Sequence, residues 1–275
     1  MTEAKDPIHT HARGMPQLLE LMRRLRDRYT GCPWDIEQTF ETIAHYTIED
    51  AYEVADAIEK ADFSALKGEL GDLLLQVVYH GQMADEAGHF SFDDVAKAIT
   101  DKMIERHPHV FGTESRDKTA EDQTRDWEKV KAAERAQTGA NGVLDDVALG
   151  LPALLRALKL QKRAARVGFD WTDIDDVIAK LNEEIAELQD ARAQADDDAI
   201  EEEFGDLLFV MVNVARHMKI DPEAALRRAN TKFVSRFQYI ETQLEKSGRS
   251  PQDSSLEEMD KLWEQAKIQS KDVRK

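Results

Sequence analysis

Apolar residues along the chain recur every three to four positions, the spacing of one face of an α-helix. The clearest runs are Ile178, Leu181, Ile185 and Leu188, and Leu207, Val210, Met211 and Val214. No segment shows a convincing alternation of apolar and polar residues between hairpin-type turns, so strands are not predicted. The pattern predicts an all-α fold.

Helix boundaries and central helices can be placed from the same pattern. Asp221-Pro222 and Ser91-Phe-Asp-Asp94 are typical helix starts, and Gly88 is a typical stop. Residues 70–78 and 204–214 are apolar almost all round. Each of these two segments is therefore predicted to be the buried central helix of a bundle.

An internal repeat divides the chain into two halves. Glu49, Glu53, Glu69 and Asp72 recur, each 134 positions later, as Glu183, Glu187, Glu203 and Asp206. With small gaps the repeat also pairs Lys102 and Arg106 with Lys232 and Arg236, and Trp127 and Lys131 with Trp263 and Lys267. Because the stretch between the halves is glycine-rich, we predict helical-bundle domains at 1–137 and 151–275 joined by a linker at 138–150.

Carboxylates spaced three apart share one face of a helix. This spacing holds for Glu184 and Glu187 and for Glu203 and Asp206; the first-half counterparts are Asp50, Glu53, Glu69 and Asp72. Two antiparallel helices would bring each set of four together. The alternative is that these groups form an ordinary solvated face or complement a helix dipole.

Three observations favour a metal site over a solvated face. Asp72 and Asp206 lie within strongly apolar segments, where an unpaired charge is costly. The spacing is repeated in both halves, and clustered carboxylates raise one another's pKa unless a cation neutralises them. Ligands that are all oxygen favour Mg²⁺, with Mn²⁺ as a substitute.

Composition and net charge indicate which binding partners and which cellular compartment to expect. The net charge of −18 is the opposite of the cationic surface that a nucleic-acid binder needs. A phosphate-bearing small molecule can still bind if metal ions stand between the two sets of negative charges. The single cysteine, Cys32, the lack of an N-terminal secretion signal and the lack of a 20-residue apolar run predict a cytoplasmic protein without membrane contact.

The motifs resemble those of the MazG family of nucleoside triphosphate pyrophosphohydrolases, from about residue 18 to residue 267. In the first half the resemblance rests on four motifs: Cys32-Pro-Trp-Asp35, Thr47-Ile-Glu-Asp-Ala-Tyr-Glu53, Gly68-Glu-Leu-Gly-Asp-Leu-Leu74 and His107-Pro-His-Val-Phe111. In the second half it rests on Val167-Gly-Phe-Asp-Trp171, Asn182-Glu-Glu-Ile-Ala-Glu187 and Glu203-Phe-Gly-Asp206. The resemblance implies a homodimer of helical bundles that cleaves nucleoside triphosphates, ribo- and deoxyribo-, between the α and β phosphates.

The resemblance also implies roles for individual residues. It assigns Mg²⁺ to Glu184, Glu187, Glu203 and Asp206, phosphate contacts to Lys232, Arg236 and Lys267, and a nucleotide contact to Trp263. The first-half counterparts are Lys102, Arg106, Trp127 and Lys131. Water activated by the metal would attack the α phosphorus, with Glu183, Glu184 or Glu187 as the general base; spacing alone does not choose between them.

One position departs from the family pattern. Asp50 stands where the second half has Glu184 and the family has glutamate, so the first-half carboxylate is shorter by one methylene. We therefore expect the second half to hold the principal active site. Two other readings stay open at this point: a housekeeping enzyme selective for dUTP or a modified nucleotide, and a non-enzymatic nucleotide sensor or toxin–antitoxin accessory protein. A structural scaffold fits less well, because it has no need of four inward-facing carboxylates repeated twice.

Overall fold

A computed structural model of the protein describes residues 6–10, 12–117, 119, 120, 122, 123, 125–127, 130 and 142–272. Every regular element within these ranges is a helix, which confirms the predicted all-α fold. None of the described helices is both long enough and apolar enough to cross a bilayer. By its internal contacts the chain divides into two compact units, Met1–Val130 and Lys131–Lys275.

The first unit is built around a long helical hairpin. Its helices are α1 (Met15–Leu25), α2 (Pro33–Glu37), α3 (Phe40–Glu59), α4 (Phe63–Glu86), α5 (Phe92–Arg106) and α6 (Pro108–Phe111), after a 3-10 turn at Pro7–Thr10. Helix α4 packs against α3, α1 and α5. The core lies between α1, α3 and α4, where Met22, Ile43, Val78, Tyr79 and Met83 are buried together.

The second unit has a hairpin of the same kind. Its helices are α7 (Ala153–Arg166), α8 (Ile174–Gln194), α9 (Asp197–His217), α10 (Pro222–Glu245) and α11 (Leu256–Asp272), with a 3-10 turn at Pro251–Asp253. Helix α9 packs against α8 and α7, and α10 packs against α11 and α7. Ala157, Leu158 and Val212 form the buried centre between α7 and α9.

Helix starts and stops follow the sequence signals. Ser91 caps α5 and exchanges hydrogen bonds with Asp94, and the Asp221 carboxylate accepts the backbone N–H of Ala224 at the start of α10. Helix α4 ends at Glu86, and Gly88 then takes a left-handed backbone with φ of 73°. These boundary predictions are confirmed.

The prediction that residues 70–78 and 204–214 are buried all round is wrong. Val78, Val210 and Val212 are buried, but Leu70, Phe204 and Met211 are each about half exposed, at 50%, 52% and 50%. Asp72 and Asp206 are exposed as well, so burial does not make their charges costly. Apolar residues on every side of a helix do not show which of those side chains the same compact unit will bury.

The predicted linker, residues 138–150, falls within the second compact unit. Its residues 138–141 lie outside the described residues, and 142–150 form turns and irregular structure. The placing of the domain boundary in this stretch stays a prediction.

Candidate metal and nucleotide site

The frame of the candidate site is the hairpin of α8 and α9. Asp173 caps the start of α8, and Asp196 caps α9 by accepting the backbone N–H of Ala199 at 3.1 Å. Between the helices Ala195 adopts a left-handed backbone with φ of 54°, which reverses the chain within two residues. The tight turn sets α8 and α9 antiparallel, so Glu184 and Glu187 face Glu203 across the hairpin.

Three carboxylates meet on this hairpin. Ligand oxygens of Glu184, Glu187 and Glu203 all lie within 4.8 Å of one another. Glu184 is 4% exposed, whereas Glu187 is exposed and Glu203 is half-buried. Asp206, predicted as the fourth ligand, lies one helical turn beyond Glu203 and outside this tight group. No other group of three potential metal ligands comes together in the described part of the chain.

Electrostatic repulsion in this cluster shows in the pKa of Glu203. Partial loss of hydration raises the pKa of the Glu203 carboxyl above its ordinary 4.5, and the neighbouring Glu187, Glu184 and Asp206 raise it further. A raised pKa means that the folded protein disfavours the charged form at this position. A bound cation would reverse that preference.

The cluster contains a lysine that the sequence analysis did not single out. The Lys180 ammonium donates to Glu183 Oε1 at 2.7 Å and lies 2.8 Å from Glu184 Oε1 and 4.0 Å from Glu187 Oε2. These hydrogen bonds raise the pKa of Lys180 well above its usual value. The spacing of three and four residues to Glu183 and Glu184 was visible in the sequence and would have identified this contact.

The first-half hairpin of α3 and α4 repeats the frame. Ala61 has the same left-handed backbone as Ala195, with φ of 54°, and the Asp62 carboxylate accepts the backbone N–H groups of Ser64 and Ala65. Both residues stand 134 positions before their second-half counterparts, the offset of the carboxylates themselves. The turn and the cap are therefore part of the repeat.

The carboxylates of the first half are arranged differently. Asp50 is 8% exposed, and its Oδ2 atom is buried without a hydrogen-bond partner among the described residues. Loss of hydration raises the pKa of Glu53, and Glu69, Glu49, Asp50 and Asp72 add to the shift. The first-half carboxylates are thus neighbours, but no three of them approach as closely as Glu184, Glu187 and Glu203 do.

The basic and aromatic residues predicted for the second half lie on α10 and α11. The guanidinium of Arg236 lies over the Trp263 ring, 5.3 Å from its centre. The ring centres of Phe233 and Trp263 are also 5.3 Å apart, with the two rings tilted. Arg236 is half-buried with its Nε atom lacking a hydrogen-bond partner in the described structure, while Lys232 is exposed. Lys267 pairs with Glu264 on α11. The structure thus brings Arg236 and Trp263 together, but no ion pair joins Lys232 or Arg236 to the described carboxylates of the cluster.

In the first half two of the four corresponding residues, Arg106 and Trp127, line a cleft of about 260 Å³. His109 also lines it, and the Trp127 ring meets the His107 ring edge-on at 5.4 Å. Lys102 is exposed on α5. Lys131 lies outside the described residues.

Comparison with known proteins shows the family of the chain. The MazG nucleotide pyrophosphohydrolase domain matches residues 38–111 and 173–240, the two segments that contain the two hairpins. The chain is 50% identical to the nucleoside triphosphate pyrophosphohydrolase of Escherichia coli strain K12 over 94% of its own length and 98% of the relative's. It is 42% identical to the nucleoside triphosphate pyrophosphohydrolase/pyrophosphatase MazG of Thermotoga maritima, over 91% and 94% of the two lengths.

A third relative, the uncharacterised protein YabN of Bacillus subtilis, is 46% identical over 90% of this chain and 50% of its own length. The family match covers both repeats, and the matches to the two pyrophosphohydrolases span nearly the whole of each protein. The resemblance seen in the motifs is confirmed: the chain belongs to the MazG family of nucleotide pyrophosphohydrolases.

Proposed function

We propose that the chain hydrolyses nucleoside triphosphates to the monophosphate and pyrophosphate at the second-half cluster, with Mg²⁺. The observation that carries the proposal is the meeting of Glu184, Glu187 and Glu203 within 4.8 Å on one hairpin. The names of the full-length relatives, nucleoside triphosphate pyrophosphohydrolases, support the same substrate class.

The residues of the cluster fit a divalent metal. Every ligand atom is a carboxylate oxygen, the donor that Mg²⁺ and Mn²⁺ prefer. The raised pKa of Glu203 indicates that the cluster lacks enough positive charge of its own. When bound, the metal would offset charge on the triphosphate and lower the pKa of a water molecule. In the first half the buried Oδ2 of Asp50 has no hydrogen-bond partner among the described residues, and a bound cation would supply one.

The reaction itself needs a base and a way to hold the phosphates. Oxygen from water forms the new bond to the α phosphorus, the bond to the bridging oxygen breaks, and pyrophosphate leaves. A carboxylate of the group Glu183, Glu184 and Glu187 accepts the proton from water. We assign phosphate binding to Lys232, Arg236 and Lys267, and base stacking to Trp263, whose face would tolerate any base. The position of the Arg236 guanidinium over the Trp263 ring supports a shared binding surface.

We propose a homodimer in which the apolar faces of the hairpins are covered by a second copy. The support is the half-exposed state of Leu70 on α4 and of Phe204 and Met211 on α9. Phe204 and Met211 stand seven residues apart, two turns of one helix, so they share a face of α9. An apolar helix face left exposed is typical of an interface. The proposal has three further parts. The enzyme tolerates different bases, its principal active site is in the second half, and it acts on the nucleotide pool of the cytoplasm.

Product analysis tests the proposed reaction. The protein is incubated with a panel of ribo- and deoxyribonucleoside triphosphates, with Mg²⁺ or with chelator, and pyrophosphate and orthophosphate are measured separately. We expect pyrophosphate without orthophosphate, in the presence of Mg²⁺ only. Orthophosphate as the first product would indicate cleavage from the γ end. No product at all would favour the hypothesis of a non-enzymatic nucleotide sensor.

A matched pair of variants assigns the activity to the cluster. Glu203→Gln removes the charge of one candidate ligand, whereas Glu202→Gln changes an exposed neighbour on the same helix. We expect E203Q to abolish pyrophosphate release and E202Q to keep it. Equal activity of the two variants would remove the cluster from the mechanism.

A further inference from the structure

We propose that Lys180 is the built-in counter-ion of the second-half cluster: it holds Glu184 in the metal-free protein and weakens the binding of a divalent cation there. The inference rests on the proposed function, since it takes Glu184, Glu187 and Glu203 to be the metal ligands. It concerns a residue to which neither the repeat nor the family motif gives a part. Lys180 acts through the carboxylates and is a positioning residue.

The contacts of Lys180 place it in competition with a metal. Its ammonium lies 2.8 Å from Glu184 Oε1 and 4.0 Å from Glu187 Oε2, two of the three carboxylates that form the tight group. A metal that used the same oxygen of Glu184 would have to displace the ammonium. A metal on the other oxygen would still place two cations beside one carboxylate, where like charges repel.

Burial strengthens this competition. Glu184 is 4% exposed, so its carboxylate has little room to turn toward water when the lysine leaves. A buried carboxylate without a partner is unfavourable, and Lys180 supplies that partner while no metal is bound. The lysine therefore keeps the ligands assembled in the metal-free protein and raises the free energy of exchanging ammonium for metal.

The first half of the repeat lacks a lysine equivalent to Lys180 and so serves as a comparison within the same chain. The residue 134 positions before Lys180 is Tyr46, which carries no charge. No lysine or arginine among the described residues forms an ion pair with Asp50, Glu53, Glu69 or Asp72. Asp50 keeps its buried Oδ2 without a partner, which is the state that Lys180 prevents at Glu184.

Metal binding without nucleotide tests the inference. Mn²⁺ is titrated into the full chain carrying Glu69→Gln, which removes a ligand of the first half, and free Mn²⁺ is measured by electron paramagnetic resonance. In this background we expect Lys180→Met to tighten Mn²⁺ binding roughly threefold to tenfold, the range of a partly exposed ion pair together with a relieved repulsion. Lys180→Arg, which keeps the charge, should bind Mn²⁺ within roughly twofold of the parent.

A control lysine separates a local effect from a change in net charge. Lys261→Met removes a lysine that pairs with Glu257 four residues away on exposed helix surface in the same unit. It should leave Mn²⁺ affinity unchanged. Thermal unfolding in chelator is the second readout: Lys180→Met should melt below the parent, and Mn²⁺ should raise its melting temperature by more than it raises that of the parent. If Lys180→Met does not fold, Lys180→Gln takes its place.

The outcomes are distinguishable. Unchanged or weaker Mn²⁺ binding in Lys180→Met, with a parent that binds Mn²⁺ and loses it in a Glu203→Gln variant, overturns the role of Lys180 and leaves the proposed function intact. A parent that binds no Mn²⁺ at the second half overturns the metal site and this inference together. Tightening in Lys180→Met but not in Lys261→Met supports the inference.

Discussion

The hairpins α3–α4 and α8–α9 share a frame but differ in their chemistry. Each turns through a left-handed alanine, Ala61 or Ala195, followed by an aspartate that caps the next helix. The second hairpin gathers three carboxylates and gives the buried one a lysine partner; the first has a buried aspartate without a partner. The two halves thus share the turn and the helix cap. They differ at two side chains of the site: the first half has Asp50 and Tyr46 where the second half has Glu184 and Lys180.

The largest expected difference between the hairpins is in turnover. Glu203→Gln should lower turnover of nucleoside triphosphate on the order of 100-fold or more, because it removes a carboxylate from the assembled cluster. Glu69→Gln, its first-half counterpart, should change turnover less than roughly threefold. Steady-state pyrophosphate release in saturating Mg²⁺ measures both. Comparable losses in the two variants would mean that the halves act as one site or as two equal sites.

The second-largest effect is expected from the length of one side chain in the first hairpin. Asp50→Glu restores the longer carboxylate of the second half, and we expect Mn²⁺ affinity at the first half to rise roughly tenfold. The titration is done in a Glu203→Gln background, so that only the first half binds. The reverse change, Glu184→Asp in a Glu69→Gln background, should weaken the second site. If neither exchange alters Mn²⁺ affinity, side-chain length does not explain the difference.

The shared turn provides a stability comparison of moderate size. Alanine in a left-handed backbone costs roughly 1–2 kcal/mol, part of which glycine recovers. Ala61→Gly and Ala195→Gly should each raise the free energy of unfolding by about 0.5 kcal/mol, measured by denaturant titration. Matched gains are expected because both residues have φ of 54°. A loss in either variant would show that the alanine methyl group packs favourably enough to outweigh the strain.

The smallest effect is the response of the metal-free protein to charge removal. The pKa of Glu203 and the pKa of Glu53 are raised above the ordinary 4.5, so each carboxylate binds a proton more readily in the folded chain than in the unfolded chain. The stability that this protonation gives is present below pH 4.5 and is lost as the pH rises through the raised pKa. Glu203→Gln and Glu53→Gln should therefore melt above wild type in chelator at pH 7, and the difference should shrink on acidification. A lower melting temperature at pH 7 would mean that the carboxylates stabilise the metal-free fold.

Much of the fold was predictable because it is local. Helical spacing, the caps at Ser91 and Asp221 and the repeat at a constant offset depend on neighbours in sequence, and the structure confirms them. Which side of a helix becomes buried depends on packing between residues that are far apart in sequence, so it is not local. For that reason residues 70–78 and 204–214 were predicted to be buried, although several of their side chains are exposed.

The site was predictable in its carboxylates and less so in their partners. The repeated spacing identified carboxylates that lie close together on facing helices, including Glu184 and Glu203. Lys180 is not singled out by the sequence, because a lysine near glutamates on a helix usually forms a solvent-exposed ion pair. The burial of Glu184 is what makes the contact with Lys180 important. The buried, unpartnered oxygen of Asp50 depends on the packing around α3 and α4, which residue spacing does not encode.

The short turns at Ala61 and Ala195 also bear on how a chain with two similar halves folds correctly. A tether of two or three residues gives each helix of a hairpin a far higher effective concentration of its own partner than of the homologous helix more than a hundred residues away. Local pairing is also the faster event during folding. The tight turn thereby guards against exchange of helices between the duplicated halves, a characteristic failure of tandem proteins.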